Sequence, residues 1–262
     1  MKFFKKRFGI PFLLILVFFL FYRANYEAPI LMYHHVGDSA DQSSTNLSTE
    51  AFRRQMHFLR LYRYRVIGLK EFLIQIRSGR RVPMNTVVIT FDDGYLDNIK
   101  NAFPILKELN FPATVFMITR NINEPGWLSE EDLRILDDSA VSTGSHTVNH
   151  AFLPQLDEKV ALFELRESKK RLEKILGHPV LLFSYPAGGV TRQIKELVEK
   201  EGYEGAVTTN YGRKTHDPFV LHRIKATEGG GNLFGFWIKV SGLYHLGKKR
   251  IEVERPWPSQ GY

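Results

Sequence analysis

The chain has 262 residues, with 36 Lys+Arg against 28 Asp+Glu and a formal net charge of +8, a length for one large domain or two small ones. A hydrophobic content of 44% with 13% aromatics excludes a disordered tail protein. The absence of cysteine excludes a disulfide framework, thiolate metal sites and a Cys nucleophile, while the basic excess admits nucleic acid, an anionic membrane or an acidic polymer until the charges are placed.

The first charges sit at the N-terminus. Lys2, Lys5, Lys6 and Arg7 precede an apolar run from Phe8 to Tyr22, and Arg23 closes it. Base followed by an apolar core is the layout of an export signal. At 1.5 Å per residue the run spans only about 22 Å, short of a ~30 Å hydrocarbon core, which favours a signal peptide. Against cleavage, Tyr22-Arg23-Ala24 and Tyr26-Glu27-Ala28 both put Tyr where a small residue is wanted, and flanking Lys and Arg can snorkel. Residues 1–28 are therefore expected to be a cytoplasmic stub and retained membrane anchor, with residues 29–262 a catalytic domain outside the cytoplasm, secreted if the segment is cleaved. Removing these five basic residues from 36 and setting the rest against 28 acids leaves +3. Nucleic acid is thus not an expected partner.

Short β-branched or aromatic runs then alternate with amphipathic stretches. Strands are predicted at Ile30–His34, Val66–Leu69, Val87–Phe91, Thr114–Ile118, Val141–Thr143, Leu181–Tyr185, Ala206–Thr208 and Leu221–Ile224. Helices are predicted at Thr49–Tyr62, Tyr95–Leu109, Ser129–Asp137, Asp157–Leu176 and Thr191–Lys200. Ser129 precedes an acidic first turn that suits the helix dipole, and Gly177 and Gly202 stand where left-handed C-terminal residues belong. Gly37–Ser48 reads as a long loop and Arg255–Tyr262 as an irregular tail. Strands separated by helices imply βα units and a parallel sheet, and their number suits a barrel.

Two sets of residues carry chemistry. The buried-strand run Val87–Phe91 ends in Asp92-Asp93-Gly94, where adjacent carboxylates on a turn point differently. One can bind a metal while the other faces a reactant; alternatively, one Asp simply caps the next helix. Gly94 permits the sharp turn. The second set is Ser145-His146-Thr147-Val148-Asn149-His150, whose histidines, four apart, would share one face of a helical turn. Two imidazoles and a carboxylate with positions left open are a catalytic rather than a structural zinc set.

These motifs resemble those of the polysaccharide deacetylases of carbohydrate esterase family 4, the NodB-homology domain. Thr90-Phe91-Asp92-Asp93-Gly94 is similar to the family's first motif, Ser145–His150 to its second, and Phe183-Ser184-Tyr185-Pro186-Ala187-Gly188 to its third. The resemblance covers about Ile30 to Ile224. It implies a distorted (β/α) barrel of about seven strands and metal-dependent removal of N-acetyl groups from an N-acetylglucosamine polymer. It makes Asp92 the general base and Asp93, His146 and His150 the ligands of a divalent metal, most readily Zn2+. Tyr185, Pro186 and Ala187 would lie against substrate or oxyanion, with the donor an N–H at Ala187. The family's frequent Arg at the third motif is Ser184 here, and the Asp–Trp motif that often follows is absent. Both features resemble the biofilm and cell-wall subgroup acting on poly-N-acetylglucosamine. That subgroup's Met-Tyr-His motif is matched by Met32-Tyr33-His34, which makes His34 the general acid, with His222 as rival. Arg223 would anchor Asp92. His35 is expected to be a packing residue and Trp237 a core residue. His57, His178, His216 and His245 are expected at the surface, and Trp127 and Tyr211 could stack on sugars or pack at the rim. The chain is expected to act as a monomer on an N-acetylated aminosugar polymer. A catalytically weak or inactive glycan-binding protein on the same scaffold is the alternative.

Overall fold

A computed structural model describes residues 9–37, 45–210, 217–227, 232–246 and 248. Lys2, Lys5, Lys6, Arg7, most of the Gly37–Ser48 loop, Tyr211, His216 and the Arg255–Tyr262 tail lie outside the described residues. In chain order the strands are β1 (Ile30–Tyr33), β2 (His35–Val36), β3 (Asn46–Leu47), β4 (Arg65–Ile67), β5 (Thr86–Phe91), β6 (Ala113–Met117), β7 (Val141–Ser145), β8 (Leu182–Ser184), β9 (Gly205–Thr208), β10 (Leu221–His222) and β11 (Ile224–Lys225). The helices are α1 (Gly9–Asn25), α2 (Thr49–Leu61), α3 (Leu69–Arg77), α4 (Phe103–Leu109), α5 (Glu130–Asp137), α6 (Glu158–Leu176), α7 (Arg192–Lys200) and α8 (Leu233–Val240).

Every ladder of the main sheet is parallel, in the order β10-β9-β8-β7-β6-β5-β1-β11, with β4 also on β5. Val88 of β5 pairs with Ile30 on one side and Ile67 on the other, and β6 replaces β4 from Thr90 onward. The two outer members are consecutive in sequence. β10 pairs with β9 and β11 with β1, so one short strand interrupted at Arg223 brings the edges together and leaves a nearly closed barrel. The expected α/β barrel is thus present, with nine strands in the main sheet rather than about seven.

Side chains alternate across each strand, and the two faces serve different layers. Ile30, Val88, Phe116, Leu182, Val207 and Leu221 cluster with Leu69, Phe72 and Leu73 of α3, which close the barrel interior at the strands' N-terminal ends. The opposite faces, including Val87, Ile89, Phe91 and Val115, pack with buried residues of α2 and of α4 to α7. Each such large apolar side chain contributes about 1.5–3 kcal/mol on burial. Gly144 in β7 is required by packing, because a Cβ there would lie 2.5 Å from the Phe116 ring.

Local signals place the helices. Ser48, Thr191 and Asn232 accept N-terminal amides of α2, α7 and α8, and Ser129 forms a reciprocal capping box with Asp132. Gly177 and Gly202 take the expected left-handed conformation, each with φ of +78°. Four expectations need correction. Tyr95 forms a bridge with Trp127, and the helix predicted from it begins as a π segment at Asn98–Ala102. Leu69, expected at a strand end, starts α3 instead, because the extended Gly68 before it serves as the helix N-cap. Trp237 is 48% exposed rather than in the core, since α8 buries Phe236 and Val240 instead. His245 is buried beside His222 rather than at the surface. α1 covers 17 residues, and among the described residues no helix is long and apolar enough to cross a membrane.

Burial, with the charges of His222 and Lys248 nearby, pushes the pKa of His245 down to about 4. Between that value and the ordinary ~6.5 of an unfolded histidine, the unfolded chain binds the extra proton, so stability rises with pH through this window. The melting temperature should therefore fall as pH drops from 6.5 towards 4. Thermal melts of His245→Gln should show a smaller fall than the parent over the same range.

Candidate metal centre

The C-terminal ends of β1, β5, β7 and β8 and the break between β10 and β11 converge on one site. β5 runs in buried to Phe91, and Asp92 and Asp93 follow at 2% and 8% exposure. Gly94 makes the turn with φ of +88°, and a Cβ there would lie 2.0 Å from the Met117 sulfur. The reversal sends the two carboxylates to different partners, as adjacent residues on a turn allow.

Asp93 faces the histidines. Its Oδ1 lies 3.5 Å from His146 Nε2 and 3.6 Å from His150 Nε2, and the three donor atoms lie within 4.8 Å of one another. The segment is not helical, contrary to the spacing argument: Thr147 and His150 take positive φ of 66° and 56° in a turn, yet the rings of His146 and His150 still approach to 4.9 Å. The Nδ1 of His146 bonds the Ser184 carbonyl at 2.8 Å, so Nδ1 carries the proton and Nε2 presents its lone pair to the site.

The donor set fits a divalent cation. Two ligands about 2.1 Å from a tetrahedral ion stand roughly 3.4 Å apart, close to the separations seen here. Asp93 Oδ1 is buried with no hydrogen-bond partner, a state that a cation would relieve. Burial and the Asp92 charge raise the pKa of Asp93, and a bound cation would reverse that direction. Burial pushes His146 down to about 4, which leaves it neutral and able to ligate at neutral pH.

Asp92 faces Arg223, and both are almost wholly buried. Two guanidinium nitrogens donate to the two carboxylate oxygens at 2.6 and 2.5 Å. The same guanidinium donates to Thr90 Oγ1 at 3.2 Å and Ser184 Oγ at 2.9 Å, and the Ser184 hydroxyl lies 3.4 Å from Asp92 Oδ2. Burial alone would raise the Asp92 pKa, but Arg223, His146 and His34 outweigh it and hold the carboxyl well below the usual range. Asp92 is therefore a fixed, ionised acceptor beside the Asp93–His146–His150 set.

His34 follows β1, and its buried Nδ1 has no hydrogen-bond partner. Burial lowers its pKa, opposed by the nearby charges of Asp92 and Asp93. His222 is turned elsewhere, with Nδ1 2.7 Å from the Asn210 carbonyl and its ring towards His245. The structure thus brings His34 into the electrostatic field of the two aspartates and keeps His222 with a separate group. In the third motif, Tyr185 is fully buried and its hydroxyl donates to the Phe219 carbonyl at 3.0 Å. Pro186 is buried too. Ala187 is exposed with φ of +51° and stands at the start of a 3-10 turn, where N–H groups lack intrahelical acceptors.

Three residues escaped sequence reasoning. Ser184 holds His146 through its carbonyl and Arg223 through its hydroxyl. Tyr95 donates to Asp93 and lies sandwiched between His35 (3.5 Å) and Trp127 (4.6 Å), while His35 bonds Asp97 at 2.7 Å. Glu164 of α6 is 3% exposed and accepts the amides of Val148 and Asn149, both at 2.9 Å, and the Asn149 side chain at 2.6 Å. It clamps the turn between the two histidines. Nothing in the sequence marks Glu164 for that role, because its burial arises only where α6 meets the His turn.

The chain matches the family model described as "Polysaccharide deacetylase" over residues 79–206. "Putative polysaccharide deacetylase YxkH" of Bacillus subtilis (strain 168) is 32% identical over 216 residues, 81% of this chain and 76% of its own. The poly-beta-1,6-N-acetyl-D-glucosamine N-deacetylase of Staphylococcus aureus (strain MSSA476) is 27% identical over 193 residues, 66% of each chain. Among solved structures, the Streptococcus pyogenes deacetylase PplD in complex with acetate superposes with a TM-score of 0.73 at 25% identity, covering 80% of this chain and 97% of that one.

The Glu164 clamp generates a prediction. Glu164→Ala should weaken divalent-metal affinity by about 10- to 100-fold, the usual effect of removing support behind a ligand, with Glu164→Gln intermediate. Zinc titration of the metal-free variants, checked by circular dichroism for folding, measures it. Unchanged affinity in a folded Glu164→Ala protein would remove Glu164 from the site.

Proposed function

Because this chain belongs to the polysaccharide deacetylase family, we propose that it hydrolyses N-acetyl groups on an N-acetylglucosamine polymer of the cell wall or exopolysaccharide, with Asp92 as general base. The observation that carries this reading is the division of two adjacent aspartates: Asp93 turns to two histidines, Asp92 to Arg223. The sugar polymer is suggested by the S. aureus relative, whose own name specifies poly-beta-1,6-N-acetyl-D-glucosamine.

Asp93, His146 and His150 would hold the metal, and two nitrogens with one oxygen suit zinc. When bound there, it supplies Lewis acidity to the acetamide carbonyl and lowers the pKa of a water towards ~7. Asp92 takes the proton of the attacking water, for which its ionised and doubly anchored carboxylate is oriented in advance. Arg223 is a positioning residue in this step. The exposed Ala187 N–H donates to the oxygen on which charge develops. As the C–N bond breaks, His34 gives a proton to the leaving amine, so acetate and the free amino sugar are the products. We further propose that α1 is a retained membrane anchor and that the domain works outside the cytoplasm. The exposed apolar side chains from Leu13 to Phe21, together with the basic residues before them and Arg23 after, support that placement.

Asp92→Asn should abolish acetate release by the full chain, a loss of at least about 100-fold for a general base, while zinc still binds. Release is to be measured on poly-N-acetylglucosamine, chitooligosaccharide and peptidoglycan side by side. Binding of a polymer by the parent protein without acetate release would instead make it a glycan-binding member of the family. His34→Ala should cost far more in kcat than His222→Ala, and the reverse ranking would move the acid to His222.

A further inference from the structure

Outside the metal centre, an apolar groove of about 860 Å3 lies between α2 and α8, walled by Phe58, Leu61, Tyr62, Phe234 and Trp237. Leu61 is 74% exposed and Phe234 67%. Contiguous apolar surface of this kind on a folded domain marks a contact surface. Arg54, His57 and Arg60 also line it, with Glu50 and Glu108 as the acids nearby, 3.9 Å from Arg54 and from His57 respectively.

Its position says what it meets. The end of α8 is tied to the end of α1: Tyr22 donates to the Ser241 carbonyl at 2.7 Å, and the Glu27 amide to the Gly242 carbonyl at 2.9 Å. Trp237 precedes Ser241 by four residues, roughly 6 Å along a helix axis. If α1 enters a bilayer, Trp237 and Ile238 are carried to its surface. Their depth is then that of the headgroups, where amphipathic aromatics and snorkelling arginines are favourable.

We propose that the α2–α8 face is an interfacial contact surface whose occupant is the headgroup layer of an anionic bilayer, with Trp237, Phe234, Leu61 and Tyr62 buried in it and Arg54 and Arg60 on lipid phosphates. The proposal rests on the reading of α1 as an anchor. Aromatic and apolar residues rimmed by arginine are the composition of such surfaces, and affinity follows buried apolar area plus attraction to anionic lipid. The active-site mouth, at the other ends of the strands, then faces away from the membrane.

The chain has no cysteine, which permits single labels in the full-length protein. An environment-sensitive fluorophore is placed on Trp237→Cys, on Leu16→Cys in α1, and on Val160→Cys, an exposed control on α6. Each protein is reconstituted in phosphatidylglycerol–phosphatidylcholine vesicles, with and without spin-labelled lipid. Labels at 237 and 16 should shift to the blue and lose most of their emission to the lipid quencher, while the label at 160 stays aqueous. In pure phosphatidylcholine the quenching at 237 should weaken and that at 16 persist. A quenched label at 16 with an aqueous one at 237 overturns the surface and leaves the anchor standing. Both labels aqueous overturns the anchor and the surface with it. A label at 237 that is shifted but unquenched means that protein rather than lipid covers the groove, a second copy if the shift depends on concentration, and overturns the lipid assignment. Equal quenching at 237 in both lipids overturns the role of the arginines.

Discussion

The buried pair of Asp92 and Arg223 is the interaction on which the site and the barrel both depend. Taking a carboxylate and a guanidinium out of water costs several kcal/mol per ion, and only close, multiple hydrogen bonding offsets it. Here both carboxylate oxygens are used, and Thr90 and Ser184 accept further guanidinium hydrogens. The partners come from β5, near the middle of the sheet, and from the break between β10 and β11 where its edges meet. Removing either one leaves an uncompensated charge in the interior, at about 3–5 kcal/mol. The geometry that orients the proposed base is therefore also part of what holds the barrel together.

From this pair the rest of the centre follows by adjacency. With Asp92 committed inward to Arg223, the turn at Gly94 commits Asp93 to the histidines. Ser184 joins the two halves, since its carbonyl fixes the tautomer of His146 while its hydroxyl meets Arg223. Where the family's frequent arginine would stand in the third motif, a small hydroxyl leaves room for an arginine arriving from the far end of the chain. The replacement keeps a guanidinium at the base and changes which strand supplies it.

Much of this was legible in the sequence because it is local. The Asp92-Asp93-Gly94 turn, the His146 and His150 pair, the parallel strand pattern and the glycine helix ends each depend on a few neighbouring residues. The anchoring role given to Arg223 matches a bond of 2.6 Å, although the residues lie 131 apart. What did not show depends on tertiary contact. Glu164 looks like any charged residue of an amphipathic helix until the His turn is folded onto it. The π segment at Asn98 reflects bonds from Asn98 to His34 and from Asn101 to Val36 that no periodicity encodes. The hydrophobicity of Trp237 suggests burial, whereas α8 turns Phe236 inward against Phe58 instead.

Arg223 also lies late in the order of synthesis. A nascent chain possesses Asp93, His146 and His150 well before the strand bearing Arg223 exists. Until that strand arrives, Asp92 has no guanidinium to keep it ionised as the interior closes. The proposed base is thus oriented in the same event that brings the edges of the sheet together. A copy lacking its last strand would then have neither a closed barrel nor an oriented carboxylate at Asp92.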